Sequence, residues 1–206
     1  MLRYAILVLL WTAWCCLHSF LISRPFDRFL KRRLKAGYRY ARLVYNLIAL
    51  ASLVPVLAFT WSLRGAPFFT WDGPLRIVQA SMLLAALFFF AAGGRRYDFL
   101  QFAGIRQMRA QNDCSVLTED CSLDTQGILG VVRHPWYSGG ILLVWANNLD
   151  VTALLVNAVI TLYFIIGAVL EEWKLVAEFG ETYRAYQRNV SMLVPIKWIQ
   201  RRWFDF

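Results

Sequence analysis

Charged residues are scarce in this sequence: they make up 17% of its 206 positions, whereas soluble domains carry about a quarter. Hydrophobic residues, in contrast, reach 59%, and they are gathered into long blocks instead of being spread along the chain. This composition argues against an ordinary soluble domain. It indicates that lipid is the solvent around most of the chain.

Metal-binding residues are also few. The chain has two histidines and four cysteines, Cys15, Cys16, Cys114 and Cys121, without a Cys-x-x-Cys pair. Such a set does not supply a tetrahedral zinc site, so no metal is predicted. A disulfide between Cys114 and Cys121 would lie in a loop expected to be cytoplasmic, where thiols stay reduced. The cysteines are therefore interpreted as unpaired small residues.

Acidic residues number 13 against 22 basic ones, which gives a net charge of +9. In a soluble protein this excess would suggest nucleic-acid binding. Here the basic residues lie in loops beside the apolar blocks, where anionic headgroups and insertion topology account for them. Membrane lipid is thus a predicted partner, and nucleic acid is not.

Apolar blocks predict the architecture, since a spanning helix needs about 20 mostly apolar residues. The first three blocks and the last are long enough, whereas the fourth covers about 20 Å of a hydrocarbon core about 30 Å thick. The sequence predicts an all-α integral membrane protein with about five transmembrane helices, the last two forming a helical hairpin with Asp150 as an N-cap. The blocks are residues 2–22, 43–63, 75–92, 137–149 and 151–170.

The shortness of the fourth block leaves two arrangements open. Either the tip of the hairpin stops inside the far interface, or the segment Arg133-His134-Pro135 dips into the near one. Irregular backbone at such a depth must face protein or a watered cavity. A functional site requires such a cavity.

Basic loops predict the orientation. Eight basic residues and Asp27 lie between the first two blocks, whereas Arg64 and Asp72 are the charges between the next two. The positive-inside rule places the first loop in the cytoplasm and the N-terminus outside. Loop 93–136 and the C-terminal tail are then cytoplasmic as well.

The segment 171–189 is too polar to span, and its pattern predicts a cytoplasmic amphipathic helix. Its apolar stripe carries one carboxylate, that of Glu172, and Gly180 is a candidate break point. The remaining members of the stripe are Val176, Phe179, Tyr183, Tyr186 and Val190.

Two polar clusters stand next to the hairpin. A cation, an imidazole and a phenol occur within residues 133–137, a pattern also typical of interfacial anchors. Glu171 and Glu172 follow the fifth block, at a helix end where carboxylates oppose the helix dipole. Either they are a solvated stop, or a partner compensates their unfavourable position. An antiparallel hairpin would bring both clusters to the same membrane face, around one pocket. Ionisable residues at such a depth are candidates for function.

These clusters carry a family resemblance. The stretch GILGVVRHPWYSGG, which begins at Gly127, resembles the Gly…Arg-His-Pro-x-Tyr-x-Gly motif of the isoprenylcysteine carboxyl methyltransferase family. The stretch EEWKLVAEFGETYRAY from Glu171 is similar to its Glu-Glu motif, and Pro195 matches its trailing proline. In the N-terminal half, WCCLHS, Tyr45-Asn46 and YDF…GIRQ resemble a narrower branch, the bacterial methanethiol S-methyltransferases and the membrane proteins associated with nitric oxide reduction.

The resemblance implies transfer of a methyl group from S-adenosylmethionine to a small or lipidic acceptor: a thiol, a prenylcysteine carboxylate or an amine. Glu171 or Glu172 would hold the amino group or a ribose hydroxyl, and Arg133 or His134 the carboxylate. Tyr137 would face the adenine or the sulfonium. The implied cofactor-binding residues are Gly127, Arg133, His134, Pro135, Tyr137, Glu171 and Glu172.

Fewer residues are expected on the acceptor side. His134 and His18 are the candidate catalytic residues, and His18, Asn46 and Gln107 are the candidate substrate-binding residues. For His18 the plainer interpretation is an interfacial imidazole hydrogen-bonded to a neighbouring helix; the functional one is deprotonation of an acceptor. Asn46 and Gln107 have the same alternative, a role in helix–helix contact.

The implied organisation is one integrated domain in a membrane expected to be the bacterial inner membrane. Residues 1–110 would form an N-terminal three-helix region with a basic loop, and residues 111–206 the catalytic hairpin, a cofactor-binding loop and the amphipathic helix. Two other functions stay open. One is a membrane reductase using a reduced nicotinamide cofactor, a group that tends to carry Asn where this chain has Trp136. The other is a non-catalytic accessory membrane protein.

Overall fold

A computed structural model describes residues 1–95 and 123–203, which are largely helical and contain no β-strand within these two ranges. The predicted all-α integral membrane fold is confirmed. The helices are α1 (Leu2–Leu21), α2 (Arg24–Leu34), α3 (Ala41–Ser62), α4 (Leu75–Gly94), α5 (Pro135–Trp145), α6 (Val151–Phe179), α7 (Glu181–Asn189) and α8 (Ile196–Trp203). Short 3-10 turns occur at Lys35–Tyr40 and Gly127–Gly130.

Four helices of the described ranges are long and apolar enough to cross a membrane: α1, α3, α4 and α6. They correspond to four of the five apolar blocks. Helix α5 has 11 residues, or about 16 Å, and is shorter than the block that predicted it because the chain turns from Ala146 onward.

The described helices fall into two compact units. The first contains Met1–Phe68 and Leu149–Val159. Within it α1 and α3 run antiparallel and are joined by two hydrogen bonds. Trp11 of α1 donates to the Thr60 hydroxyl at 2.9 Å, and Trp14 donates to the carbonyl of Ala49 at 3.2 Å. Such polar contacts join helices in lipid, where apolar burial alone does not drive association.

The loop expected after the first span contains α2. The hydroxyl of Ser23 caps it by accepting from the Phe26 amide at 3.4 Å, and Pro25 occupies the first turn, where its missing amide costs nothing. The Tyr38 hydroxyl donates to Asp27 at 2.5 Å, which fixes the end of this basic segment to its beginning.

The start of α6 belongs to the same unit, and Asp150 caps it as predicted. One carboxylate oxygen of Asp150 accepts from the Ala153 amide at 2.6 Å, and the other accepts from the Gly65 amide at 2.8 Å. Thr152 also donates to the carbonyl of Leu63 at 2.7 Å. The N-terminus of α6 is thereby joined to the end of α3.

The second unit contains α4, α5 and the remainder of α6, with α7 and α8. Helices α4 and α5 are antiparallel and closely packed, because a Cβ at Gly139 would lie 3.2 Å from the carbonyl oxygen of Ala86. Near the other end, Gln79 donates to the carbonyl of Ala146 at 2.8 Å. A small residue at this crossing permits the close approach.

Helices α5 and α6 form the predicted hairpin. Near its turn, Trp145 donates to the Thr161 hydroxyl at 2.9 Å. At its open end, the Tyr137 hydroxyl donates to the carboxylate of Glu171 at 3.0 Å. The two polar clusters therefore meet at the open end of the hairpin.

A glycine at the hairpin contact gives a first prediction. A Cβ at Gly140 would lie 2.6 Å from the ring of Phe164, whereas at Gly167 the nearest atom would be 3.9 Å away. Gly140→Ala should therefore lower the unfolding midpoint in detergent micelles, since overpacking costs about 1–3 kcal/mol. Gly167→Ala is the matched control and should leave the midpoint unchanged or raise it, because alanine favours helix. Equal midpoints for both variants would contradict this packing.

Helix α6 continues well past the apolar block, to Phe179. Its 29 residues reach about 43 Å, more than the hydrocarbon core requires. Gly180 has a φ of 57°, a conformation that favours glycine, and it separates α6 from α7 as predicted. Beyond this break, Tyr183 and Tyr186 of α7 pack against Leu175 of α6.

Candidate functional site

The Arg-His-Pro segment is held in an extended form before α5 begins. Val132 pairs with Ser191 in an isolated parallel bridge, and the amide of Arg133 donates to the Ser191 carbonyl at 2.9 Å. The amide of His134 donates to the carbonyl of Met192 at 3.1 Å. Because the chain that follows α7 supplies these acceptors, the backbone of the motif is satisfied before the helix starts.

Glu172 lies at the centre of the site. One of its oxygens accepts from Arg133 Nε at 2.6 Å and lies 3.2 Å from His134 Nε2. The other accepts from the side-chain amide of Gln187 at 2.7 Å. The side chains of Arg133 and Glu172 are 8% and 9% exposed, so both charges are neutralised by contact with each other.

Arg133 also links the hairpin to α7. Its Nη1 donates to the carbonyl of Gln187 at 3.2 Å and to the carbonyl of Val190. These carbonyls belong to the last turn of α7 and the residue after it, where intrahelical donors are missing. The guanidinium therefore satisfies the end of one helix while pairing with a carboxylate on another.

Glu171 has a different environment from its neighbour. Its side chain is 34% exposed, it accepts from Tyr137, and its Oε2 lies 3.8 Å from His134 Nδ1. The rings of His134 and Tyr137 stack with centroids 5.4 Å apart, and Phe164 stacks on Tyr137 at 5.5 Å. A partly accessible carboxylate thus lies beside a stack of three rings.

The other predicted cofactor-binding residues shape the backbone around this cluster. Pro135 is fully buried at the first position of α5. Gly127 opens its 3-10 turn with a φ of 60°, which a residue with a side chain rarely adopts. Tyr186 donates to the carbonyl of Leu129 in that turn at 2.6 Å. Burial raises the pKa of Tyr186, so it remains a neutral donor.

An open cavity of about 430 Å³ lies next to this turn, between Gly127–Gly130 and α7. Gly130, Tyr186 and Arg201 are among the residues that line it.

The hairpin therefore brings Arg133, His134, Tyr137, Glu171 and Glu172 together, as predicted. One feature differs from the expectation: Arg133 and Glu172 are in direct contact, so no open space separates the two clusters at this pair. The roles of these residues toward a cofactor stay predictions.

The acceptor-side candidates belong elsewhere in the chain. His18 and Asn46 are in the first unit, and Gln107 lies outside the described residues, as do Cys114 and Cys121. His18 Nε2 lies 2.6 Å from the hydroxyl of Tyr45, and its ring stacks on Trp14 with centroids 5.2 Å apart. The hydrogen bond to a neighbouring helix that the plainer interpretation requires is thus present.

Two residues of the site were missed in the sequence. Gln187 follows Tyr183 of the predicted apolar stripe by four residues and therefore shares its helix face. Phe164 precedes Glu171 by seven residues, two turns along the same face of α6. Helical spacing from the residues already selected would have found both.

Comparison with curated proteins decides the family. A protein of Pseudomonas deceptionensis named methanethiol S-methyltransferase is 30% identical over 195 residues, which cover 91% of this chain and 71% of the relative. The chain belongs to the methanethiol S-methyltransferase family. This membership confirms the resemblance to the isoprenylcysteine methyltransferase-like proteins and makes the chain an enzyme of the methyltransferase class.

Other members of the methanethiol S-methyltransferase family match over similar lengths. The protein of Pseudomonas sp. strain GM41(2012) is 31% identical over 199 residues, covering 93% of this chain and 72% of the relative. That of Mycobacterium tuberculosis is 28% identical over 184 residues, covering 86% and 72%. No protein-family model matches the chain, and no solved structure does.

Proposed function

We propose that the chain transfers the methyl group of S-adenosylmethionine to a small thiol at the cytoplasmic face of the bacterial inner membrane. Membership of the methanethiol S-methyltransferase family supports the reaction and the acceptor class, since the relatives are named for a thiol. The basic residues Lys31, Arg32 and Arg33 in the last turn of α2 support the orientation.

The donor site is assigned from a difference in burial and hydrogen bonding between the two adjacent carboxylates. Glu172 is buried and both of its oxygens are engaged by protein donors, whereas Glu171 is partly exposed. A cationic ligand can therefore reach Glu171 without breaking a buried ion pair. Of the two alternatives open in the sequence, Glu171 is the residue proposed to bind the donor, and Glu172 is a positioning residue.

The residues around Glu171 fit such a donor. When bound, S-adenosylmethionine supplies an electrophilic methyl group on a sulfonium sulfur. The Glu171 carboxylate would bind the donor's ammonium group through a charge-assisted hydrogen bond. Tyr137 orients that carboxylate, and the stacked rings of His134 and Phe164 help to exclude water. Arg133 positions the motif segment against α7.

On the acceptor side, a thiol must lose its proton for its sulfur to bond to the methyl carbon. The bond between that carbon and the donor's sulfonium sulfur would break in the same step, with the neutral thioether of the donor as the leaving group. His18 is proposed to accept that proton, with the Tyr45 hydroxyl fixing its ring. Asn46 and Gln107 remain proposed acceptor-binding residues.

A donor and acceptor screen tests this function. Purified protein in vesicles should transfer a labelled methyl group from S-adenosylmethionine to small thiols, and mass spectrometry should identify the thioether. Prenylcysteine and amine acceptors should give less product. Retention of reduced nicotinamide but not of S-adenosylmethionine would indicate a reductase, and retention of neither would indicate an accessory protein.

A substitution at His18 separates the acceptor role from packing. His18→Ala should raise the KM for the thiol or lower kcat by about 10²-fold, the lower range for general-base catalysis, while donor affinity stays unchanged. The rate of this variant should recover at higher pH, where the thiol ionises without help. An unchanged rate at neutral pH would show that His18 serves only the contact between α1 and α3. Trp14→Phe, which alters the ring stacked on His18, is the packing control.

A further inference from the structure

Helix α8 is turned so that two of its three basic residues, Lys197 and Arg201, contact the end of α7. Lys197 Nζ donates to the carbonyls of Gln187 at 2.9 Å and Arg188 at 3.0 Å, and Arg201 Nη2 donates to the carbonyl of Asn189 at 2.7 Å. These carbonyls end α7, where intrahelical donors are missing and cations are favoured. Two cations of α8 are thereby used to cap the preceding helix.

The apolar residues of α8 face outward. Ile196, Ile199 and Trp203 are spaced by three and four residues, so they share one face. Their exposed fractions are 55%, 41% and 69%. In water this arrangement would be the reverse of the usual one, in which a surface helix buries its apolar stripe.

Length and charge limit what can cover this face. Eight residues make about 12 Å of helix, too short to cross a bilayer. The segment IKWIQRRW has three basic residues and no acidic one, and Arg202 lies over the Trp198 ring at 5.7 Å. Helices that combine an apolar face with tryptophan and basic residues lie in the plane of the membrane interface, where anionic headgroups attract them.

We infer that α8 lies flat in the interface of an anionic phospholipid bilayer, with Ile196, Ile199 and Trp203 immersed at the boundary of the acyl chains. This contact fixes the end of α7 to the membrane surface. The Gln187 carbonyl accepts from both Lys197 and Arg133, so this one residue connects the lipid-bound helix to the buried Arg133–Glu172 pair. The bilayer surface thereby becomes part of the support of the candidate site.

Spin labelling of the full chain in vesicles tests this position. Nitroxide labels would be placed on Ile199→Cys and, as a second variant, Trp203→Cys, after the four native cysteines are replaced by alanine. Arg188→Cys, an exposed position of α7, is the matched control. Retained unfolding midpoints would verify the fold of each variant. Accessibility to oxygen, which partitions into lipid, is compared with accessibility to a water-soluble nickel chelate.

In vesicles of phosphatidylcholine and phosphatidylglycerol, both α8 labels should give a severalfold higher ratio of oxygen to nickel accessibility than the Arg188 label. Omitting phosphatidylglycerol should lower that ratio. Equal ratios at all three positions would overturn the inference, as would α8 labels shielded from both reagents with dipolar broadening between copies, which would indicate a second chain on this face. An unchanged ratio without phosphatidylglycerol would overturn the charge requirement. The readout involves no methyl transfer and is independent of the proposed function.

Discussion

Glu172→Ala should destabilise the protein by about 3–5 kcal/mol, because it leaves the buried guanidinium of Arg133 without its counter-ion. His134 and Gln187 would lose the same acceptor. The free energy of unfolding in mixed micelles measures the effect. Glu181→Ala is the matched control, since its ion pair with Arg188 is exposed on both sides and should contribute less than about 1 kcal/mol.

The double variant Arg133→Met/Glu172→Met tests whether this loss comes from an unpaired charge. Removing both charges from a buried pair is often tolerated, whereas removing one is not. We expect the double variant to be more stable than Glu172→Ala while donor binding remains impaired, because the motif segment would no longer be held against α7. If the double variant lost as much free energy of unfolding as the two single variants together, Arg133 and Glu172 would not be coupled.

Glu171→Gln should weaken donor binding by about 10- to 100-fold, since a hydrogen bond to a charged group contributes about 1.5–3 kcal/mol and each 1.4 kcal/mol is a factor of ten. The fold should persist, because glutamine keeps an oxygen that can accept from Tyr137 and the side chain is partly exposed. The KM for S-adenosylmethionine and the unfolding midpoint are the two measurements.

Glu178→Gln is the control for this substitution, because Glu178 lies two turns further along α6, is exposed, and undergoes the same change of charge. It should leave the KM for the donor unchanged. Equal increases in KM for both variants would indicate a general loss of negative charge instead of a contact at Glu171.

Periodicity and hydropathy predicted much of the fold. The apolar blocks located the four helices long enough to span, and Asp150, between the last two blocks, located the turn of the hairpin as the N-cap of α6. These features depend on the types of neighbouring residues, which can be read from the sequence alone. The extent of α5 and the presence of α2 were less accessible, because proline and basic residues suit both a loop and a short helix.

The convergence of the two polar clusters followed from topology, since an antiparallel hairpin must return its ends to the same side. The different environments of Glu171 and Glu172 did not follow as fully. The apolar stripe placed Glu172 on the face that packs, but its donors Arg133 and Gln187 come from distant parts of the chain. The pairing of Arg133 with Ser191 is irregular backbone contact, for which no periodic signal exists.

A structure of the chain with bound S-adenosylhomocysteine would show whether Glu171 binds the methyl donor. We expect the amino group of the homocysteine part to lie within hydrogen-bond distance, about 3 Å, of the Glu171 carboxylate, with the Arg133–Glu172 pair unbroken. A ligand bound elsewhere, with Glu171 still accepting from Tyr137, would rule out Glu171 as the donor-binding residue.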